Sequence, residues 1–199
     1  DKGINMHKFD YSFLNNGMLP SGLVNVTASI SSLKMASQFR KNDFQKVFTE
    51  LEKIAKIQSV KSSNEIEGIV TTDERIVQIV QQNSAPLNHE EEILGYRDAL
   101  NIIHTGHQNI QFNENTVLSL HRTMLSATDY NFGGQYKTDD NVILEIDSQG
   151  NKKIRFAPVP AEKTKTAMEQ LFLAFIEANS NSNINTLLLI PCVILDFLC

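Results

Sequence analysis

The chain holds little of what most readily betrays a chemistry. Its 199 residues include two cysteines and no tryptophan. Cys192 and Cys199 stand seven apart in an apolar stretch, so a helix sets them on one face at a separation no disulfide spans. They read as small buried hydrophobes, which sets aside redox and paired-thiol metal chemistry. Positive charge is also short: 18 basic against 23 acidic side chains leave a net charge of −5, and the basic residues are scattered, which excludes a nucleic-acid face. The longest apolar run, residues 187–199, contains Pro191 and Asp196 and is too short for a bilayer. It predicts a buried core helix and no membrane partner. Asp1 to Met6 lack the basic-then-apolar order of a signal peptide, so the expected location is cytoplasmic. Absent too are a Gly-rich phosphate loop, a paired-Cys motif and a local Ser, His and Asp signature.

What is there is an ordinary folded composition, 41% hydrophobic and 21% charged, long enough for one sizeable core. Residues 1–22 mix Asn, Gly, Pro and single aromatics without a period and read as an arm without regular structure. Leu23, Val26, Ile30, Leu33 and Ala36 then recur at helical spacing, and Asn42 reads as the cap of a second helix carrying Phe44, Val47, Phe48, Leu51, Ile54 and Ala55. Ser62 and Ser63 read as caps of a separate short helix, residues 61–68, with Gly68 as its left-handed end. One or two turns are unstable in isolation, so that helix must be docked. Thr71, Thr72 and Asp73 cap a further helix through Ile76, Ile79 and Val80, and Asn88 caps one through Ile93, Tyr96, Leu100 and Ile103 with Glu90, Glu91 and Glu92 at its positive end. Asn113 or Asn115 opens the next, with Val117, Leu118, His121 and Leu125.

After Gly133 and Gly134 the pattern changes. Val142, Leu144 and Ile146 alternate with Ile143 and Glu145, turn formers fill 147–151, and Ile154, Arg155 and Phe156 make an extended partner. Pro158 and Pro160 close this β-hairpin, and two helices finish the chain, one through Ala167, Leu171, Phe172, Phe175 and Ile176 and one from about Ile184. The expected fold is mainly α with one hairpin insert.

Bland readings cover most of the polar candidates. His104 and His107, three apart on a helix, find no third metal ligand nearby and read as surface histidines. His121 reads as a packing or capping residue, and the three glutamates as dipole complement on a solvated face. Two features remain: the short capped helix around Glu67 and the lone hairpin entered through Gly133 and Gly134.

Those two features resemble the Fic family. Ser63-Asn64-Glu65-Ile66-Glu67-Gly68 is similar to its inhibitory-helix motif, Ser or Thr, three variable residues, Glu, then Gly or Asn. In the same order as in the family follow Leu120-His121-Arg122, Gly134-Gln135-Tyr136-Lys137 opening the hairpin, and Phe156-Ala157-Pro158-Val159-Pro160 closing it. Residues 185–199 resemble the family's central helix, which leads into a loop with His-Pro-Phe, two residues, then Gly-Asn-Gly-Arg. That loop is expected just beyond Cys199.

The resemblance implies a helical bundle with a hairpin flap, divided as an arm over 1–22, a helical region over 23–87 and the incomplete core over 88–199. It implies a self-inhibited nucleotidyltransferase that carries out AMPylation, moving AMP from ATP with Mg²⁺ to a hydroxyl of a target protein. Some relatives of this kind move other phosphate-containing groups or remove AMP. No catalytic residue lies within these residues, because base and phosphate cradle belong to the loop. The inhibitory motif carries over as Ser63, Glu67 and Gly68, with Glu67 holding a loop arginine away from the γ-phosphate. Val142 and Ile143 fall near the adenine side of the nucleotide site, and Glu67 counts with them among the nucleotide-binding residues. Gly134, Tyr136, Lys137 and Thr138 belong to the flap, which takes the target by strand addition; Lys137 stands where the family often has Arg, and the insert is about one residue longer than the usual flap. A homo-oligomer is compatible with this, and the alternative is a binding or regulatory module without chemistry of its own.

Overall fold

The computed structural model describes residues 9–87 and 90–198. Among them are eight helices and one two-stranded sheet, in the order α1 (Phe13–Asn16), α2 (Ser21–Asp43), α3 (Gln45–Ile66), α4 (Asp73–Gln82), α5 (Glu91–Gly106), α6 (Glu114–Met124), β1 (Ile143–Ile146), β2 (Lys152–Phe156), α7 (Ala161–Ser180) and α8 (Thr186–Phe197). The fold is mainly α with one hairpin. None of the described helices is long and apolar enough to cross a membrane. The chain forms two compact units, one from 20–111 with 115–135, the other from 1–19, 112–114 and 136–199.

The first unit is built on α3, α4 and α5, which pack on one another. Their apolar stripes meet in a core of Val60, Ile76, Ile79 and Ile93, with Ile57, Ile69, Val80 and Leu100 closing around it. The two ends of α4 follow from their backbone chemistry. Thr72 caps α4 by accepting the Arg75 N–H at 3.3 Å, and Asn83 ends it in the left-handed region at φ 52°. Asn88, read above as the cap of α5, lies outside the described residues. The last residue of α6 comes so close to α5 that a Cβ on Gly95 would stand 1.8 Å from the Met124 carbonyl oxygen. Only glycine permits that approach.

Two expectations for this unit fail. Asn42 is no cap: α2 runs on to Asp43 and the break falls at Phe44, at φ −124° and ψ 39°. Nor is there a separate short helix at 61–68, since α3 continues unbroken from Gln45 through Ser62 and Ser63 to Ile66. The serines are satisfied from inside a helix, so they have no need to begin one. Ser63 Oγ donates to the Tyr96 hydroxyl of α5 at 2.8 Å, and buried Asn64 donates from Nδ2 to the Val60 carbonyl one turn back at 2.7 Å.

The second unit holds the rest. Leu171 and Ala178 of α7, Ile184, and Leu189 and Val193 of α8 form its core with Tyr11. Phe112 sets its ring edge-on against Phe172 and Phe175, both at 5.0 Å between centroids. The arm therefore differs from its reading: residues 13–16 form a helical turn and Tyr11 is a core residue, its hydroxyl donating to Asp196 at 2.9 Å. Residues 1–8 of that arm, like Cys199, lie outside the described residues. Cys192 is half-buried, donates to the Leu188 carbonyl at 3.4 Å, and has its thiol pKa pushed up by burial. Asn185 caps α8 by accepting the Leu187 N–H at 3.0 Å.

The hairpin pairs Ile143 with Phe156, Leu144 with Ile154, Glu145 with Lys153 and Ile146 with Lys152. Arg155 is the odd residue out, a β-bulge opposite the Ile143–Leu144 step. Asp147 builds the turn: its carboxylate accepts the backbone N–H groups of Gln149 and Asn151 at 2.8 and 2.9 Å, and Gly150 takes φ +85°. Those donors and the Asn151 side chain, the largest influence, hold the Asp147 carboxyl below its ordinary pKa.

Candidate functional site

The motif around Glu67 is a helix C-terminus, and its geometry follows from Gly68. At φ +82° that glycine turns the chain back, so its own N–H reaches the Glu65 carbonyl at 3.0 Å and the Ile69 N–H reaches Asn64 at 2.9 Å. These two bonds are a Schellman closure, which satisfies the last carbonyls of α3 and drives Ile69 back onto the core. Glu67 occupies the cap position itself. Its side chain is exposed and has no hydrogen-bond or ion-pair partner among the described residues. Ser63 does not reach toward Glu67, being bonded across to Tyr96. Four residues apart on one helix, the two have separate jobs: Ser63 anchors the last turn to α5, and Glu67 is left projecting from it.

Beside this terminus lies a cleft of about 880 Å³, lined by residues 68–71, 90–92 and 127–130. One wall is set by an ion pair the sequence does not announce. Glu90 is 5% exposed, not solvated as its place in a run of three glutamates suggests. It takes two bonds from Arg75, Nε to Oε1 at 3.2 Å and Nη2 to Oε2 at 2.6 Å, and also accepts from Thr71 Oγ1 at 2.8 Å and the Leu87 N–H at 2.9 Å. The Arg75 guanidinium above all, with the Leu87 N–H and Thr71 beside it, outweighs burial and pulls the Glu90 carboxyl down to about 2. No local signal in the sequence joins the two, since Arg75 lies on α4 and Glu90 precedes α5, 15 residues on.

Gly134 and His121 belong together in the same unit. The Gly134 N–H donates to His121 Nδ1 at 3.2 Å, which leaves the imidazole proton to Nε2, and the glycine sits at φ +77° with Arg122 Nε and the Leu118 carbonyl oxygen each 2.9 Å from where a Cβ would be. His121 thus holds the approach to the hairpin. His104 and His107 are exposed, His107 Nδ1 lying 3.0 Å from the His104 carbonyl.

The remaining expected residues, Tyr136, Lys137, Thr138, Val142 and Ile143, lie in the other unit. Tyr136 has a buried hydroxyl that no described residue meets with hydrogen-bond geometry. Burial first, then the nearby carboxylates of Glu114 and Glu169, push its pKa up to about 12. Lys137 Nζ donates to Asn141, and Thr138 Oγ1 donates to Asp139 at 3.0 Å. Asp140, which sequence reasoning passed over, accepts the Ala161 N–H at 2.7 Å and so caps α7 from a distance. Val142 precedes β1, Ile143 is its first residue, and both are about half exposed.

Among the described residues no three or more His, Cys, Asp or Glu side chains group so as to hold a metal ion. No protein-family model matches the chain, and the comparison with curated proteins finds no significant relative.

Proposed function

We propose that this chain carries the self-inhibiting part of a protein adenylyltransferase of the Fic type, a cytoplasmic enzyme that moves AMP from ATP to a hydroxyl of a target protein. The observation that carries the reading is Glu67: a carboxylate with no partner among the described residues, fixed on the capped end of a long helix. An uncommitted acid on a rigid terminus suits the capture of an arginine brought by another segment. In this reading that arginine otherwise binds the γ-phosphate, so its capture removes one donor and adds one negative charge where ATP must be aligned. The residues described here do not by themselves fit Mg²⁺ or a triphosphate, and both belong to the His-Pro-Phe and Gly-Asn-Gly-Arg loop, which the 199 residues do not include.

Continuity of α3 bears on how such inhibition is released. A docked one-turn helix could melt away, whereas Glu67 ends a helix of 22 residues anchored through Val60, Ser63 and Asn64. Release then requires a competing partner for the carboxylate or a displacement of the whole helix end. The test is transfer of label from α-labelled ATP by the protein expressed from its complete reading frame, with and without Glu67→Gly. The expected result is a rise of roughly 100-fold, the scale of one electrostatic donor at a developing charge. An unchanged rate sinks the inhibitory role.

One observation favours the binding-module alternative. All nine strand residues of the hairpin are exposed, Ile143, Leu144, Ile146 and Ile154 among them, so an extended peptide can add to either edge. Peptide capture by the 199-residue chain in the absence of ATP, together with no labelling by the complete protein, would establish it.

A further inference from the structure

The end of α3 that displays Glu67 has little apolar hold on its unit. Val60 is buried, but beyond it α3 buries no apolar side chain, Ile66 being 83% exposed. Buried Asn64 spends its Nδ2 inside its own helix. Among the described residues two side-chain bonds leave residues 61–67 for another helix, and they differ in weight. Lys61 pairs with Asp73 at the start of α4, where the Asp73 side chain is 73% exposed, and an ion pair standing in water contributes little. Ser63 and Tyr96, by contrast, are both half-buried, with their hydroxyls 2.8 Å apart. The Tyr96 ring packs on the core of Val60, Ile76, Ile79 and Ile93. Its hydroxyl is therefore a fixed point to which the helix end is tied.

We infer, on the reading of Glu67 as an inhibitory residue, that Tyr96 is a positioning residue for it and sets from α5 the place at which the carboxylate projects. Glu67 stands one turn past Ser63 at the end of the same helix, so whatever turns or lifts Ser63 carries Glu67 with it. On the other side the chain is next held by Ile69, which meets the core after Gly68 has reversed it. The carboxylate thus sits between two anchorages, the Ser63–Tyr96 bond before it and Ile69 behind it. Capture of a guanidinium takes two parallel bonds in a fixed geometry, and a swaying terminus offers that geometry for a smaller part of the time. Without the Tyr96 hydroxyl, Ser63 has an alternative in the carbonyl one turn back, so the helix survives and the tie across to α5 is what is lost. Inhibition should weaken by the factor that one neutral hydrogen bond represents, about fivefold.

The test uses the protein expressed from its complete reading frame and transfer of label from α-labelled ATP. Tyr96→Phe keeps the ring and removes the oxygen, and is expected to raise transfer about fivefold, against roughly 100-fold for Glu67→Gln. Ser63→Ala should match it, and the two together should rise no further, since both break one bond. In a Glu67→Gln background Tyr96→Phe should change nothing, an outcome that a general loosening of the fold would not reproduce. Backbone amide NMR relaxation, dispersion included, reads the helix end directly: Glu67 and Gly68 should gain motion in Tyr96→Phe that the amides of α4 do not. Tyr96→Phe at the wild-type rate while Glu67→Gln is activated overturns the inference. So does an equal rise with and without Glu67, or a helix end as rigid as wild type. If Glu67→Gln itself transfers no faster than wild type, the inhibitory reading has failed, and the role of Tyr96 fails with it.

Discussion

Single residues in this chain act through the space and charge around them, and two glycines show how differently. Gly68 and Gly95 look alike in sequence, but a Cβ on Gly68 meets nothing within 4 Å while one on Gly95 runs into the Met124 backbone at 1.8 Å. Gly68→Ala should therefore cost only the left-handed backbone, about 1–2 kcal/mol. Gly95→Ala must push α5 and α6 apart and should cost about 3 kcal/mol or more. Urea unfolding of both variants measures this, and equal costs would refute the close approach of Met124 to Gly95. Glu90 acts through charge. Its carboxyl is held near 2, below the ordinary 4.5, so the folded state prefers it ionised. The stability this brings is complete above about pH 4.5 and is lost as pH falls toward 2. Glu90→Gln should lower stability at neutral pH by on the order of 3 kcal/mol and flatten the loss between pH 4.5 and 2. A variant as steep as wild type in that window would show that another group titrates there.

At the scale of elements, helical periodicity made α4, α5, α6 and α7 legible, and α8 was legible as a continuous apolar run behind its Asn185 cap. The hairpin was legible for the same reason: alternation and turn formers at 147–151 are local signals. What the sequence hid lies in competition between local and tertiary bonds. Ser62 and Ser63 look like caps because serine bonds backbone well at a helix start, but with Tyr96 opposite, Ser63 bonds sideways and the helix runs on. Arg75 with Glu90 was hidden because 15 residues and a turn separate them, so no spacing rule joins them. Of the site, the position of Glu67 at a glycine-ended terminus was readable from its motif, and the absence of a partner for its carboxylate among the described residues was not. α2 was legible as a helix, but none of its residues is buried.

At the scale of the whole molecule, the chain does not divide along its length. The unit containing the hairpin, α7 and α8 also draws on the first 19 residues, and Tyr11 joins Asp196 across 185 positions. Closing so long a loop carries a larger entropic cost than a local contact does, and it ties Tyr11 into the core of the last two helices. Tyr11 is 3% exposed beside Leu171, Leu189 and Val193. Replacing it by alanine removes a ring from a packed core and a donor from Asp196, a loss of about 3–5 kcal/mol. In native-state hydrogen exchange this should appear as protection lowered about 100-fold or more in α7 and α8. The amides of α3, α4 and α5 are secured by a separate core of Val60, Ile76, Ile79 and Ile93, so they should exchange at the wild-type rate. Loss of protection in both sets would mean that the two units unfold as one, and that the core around Tyr11 governs the helix end on which Glu67 is displayed.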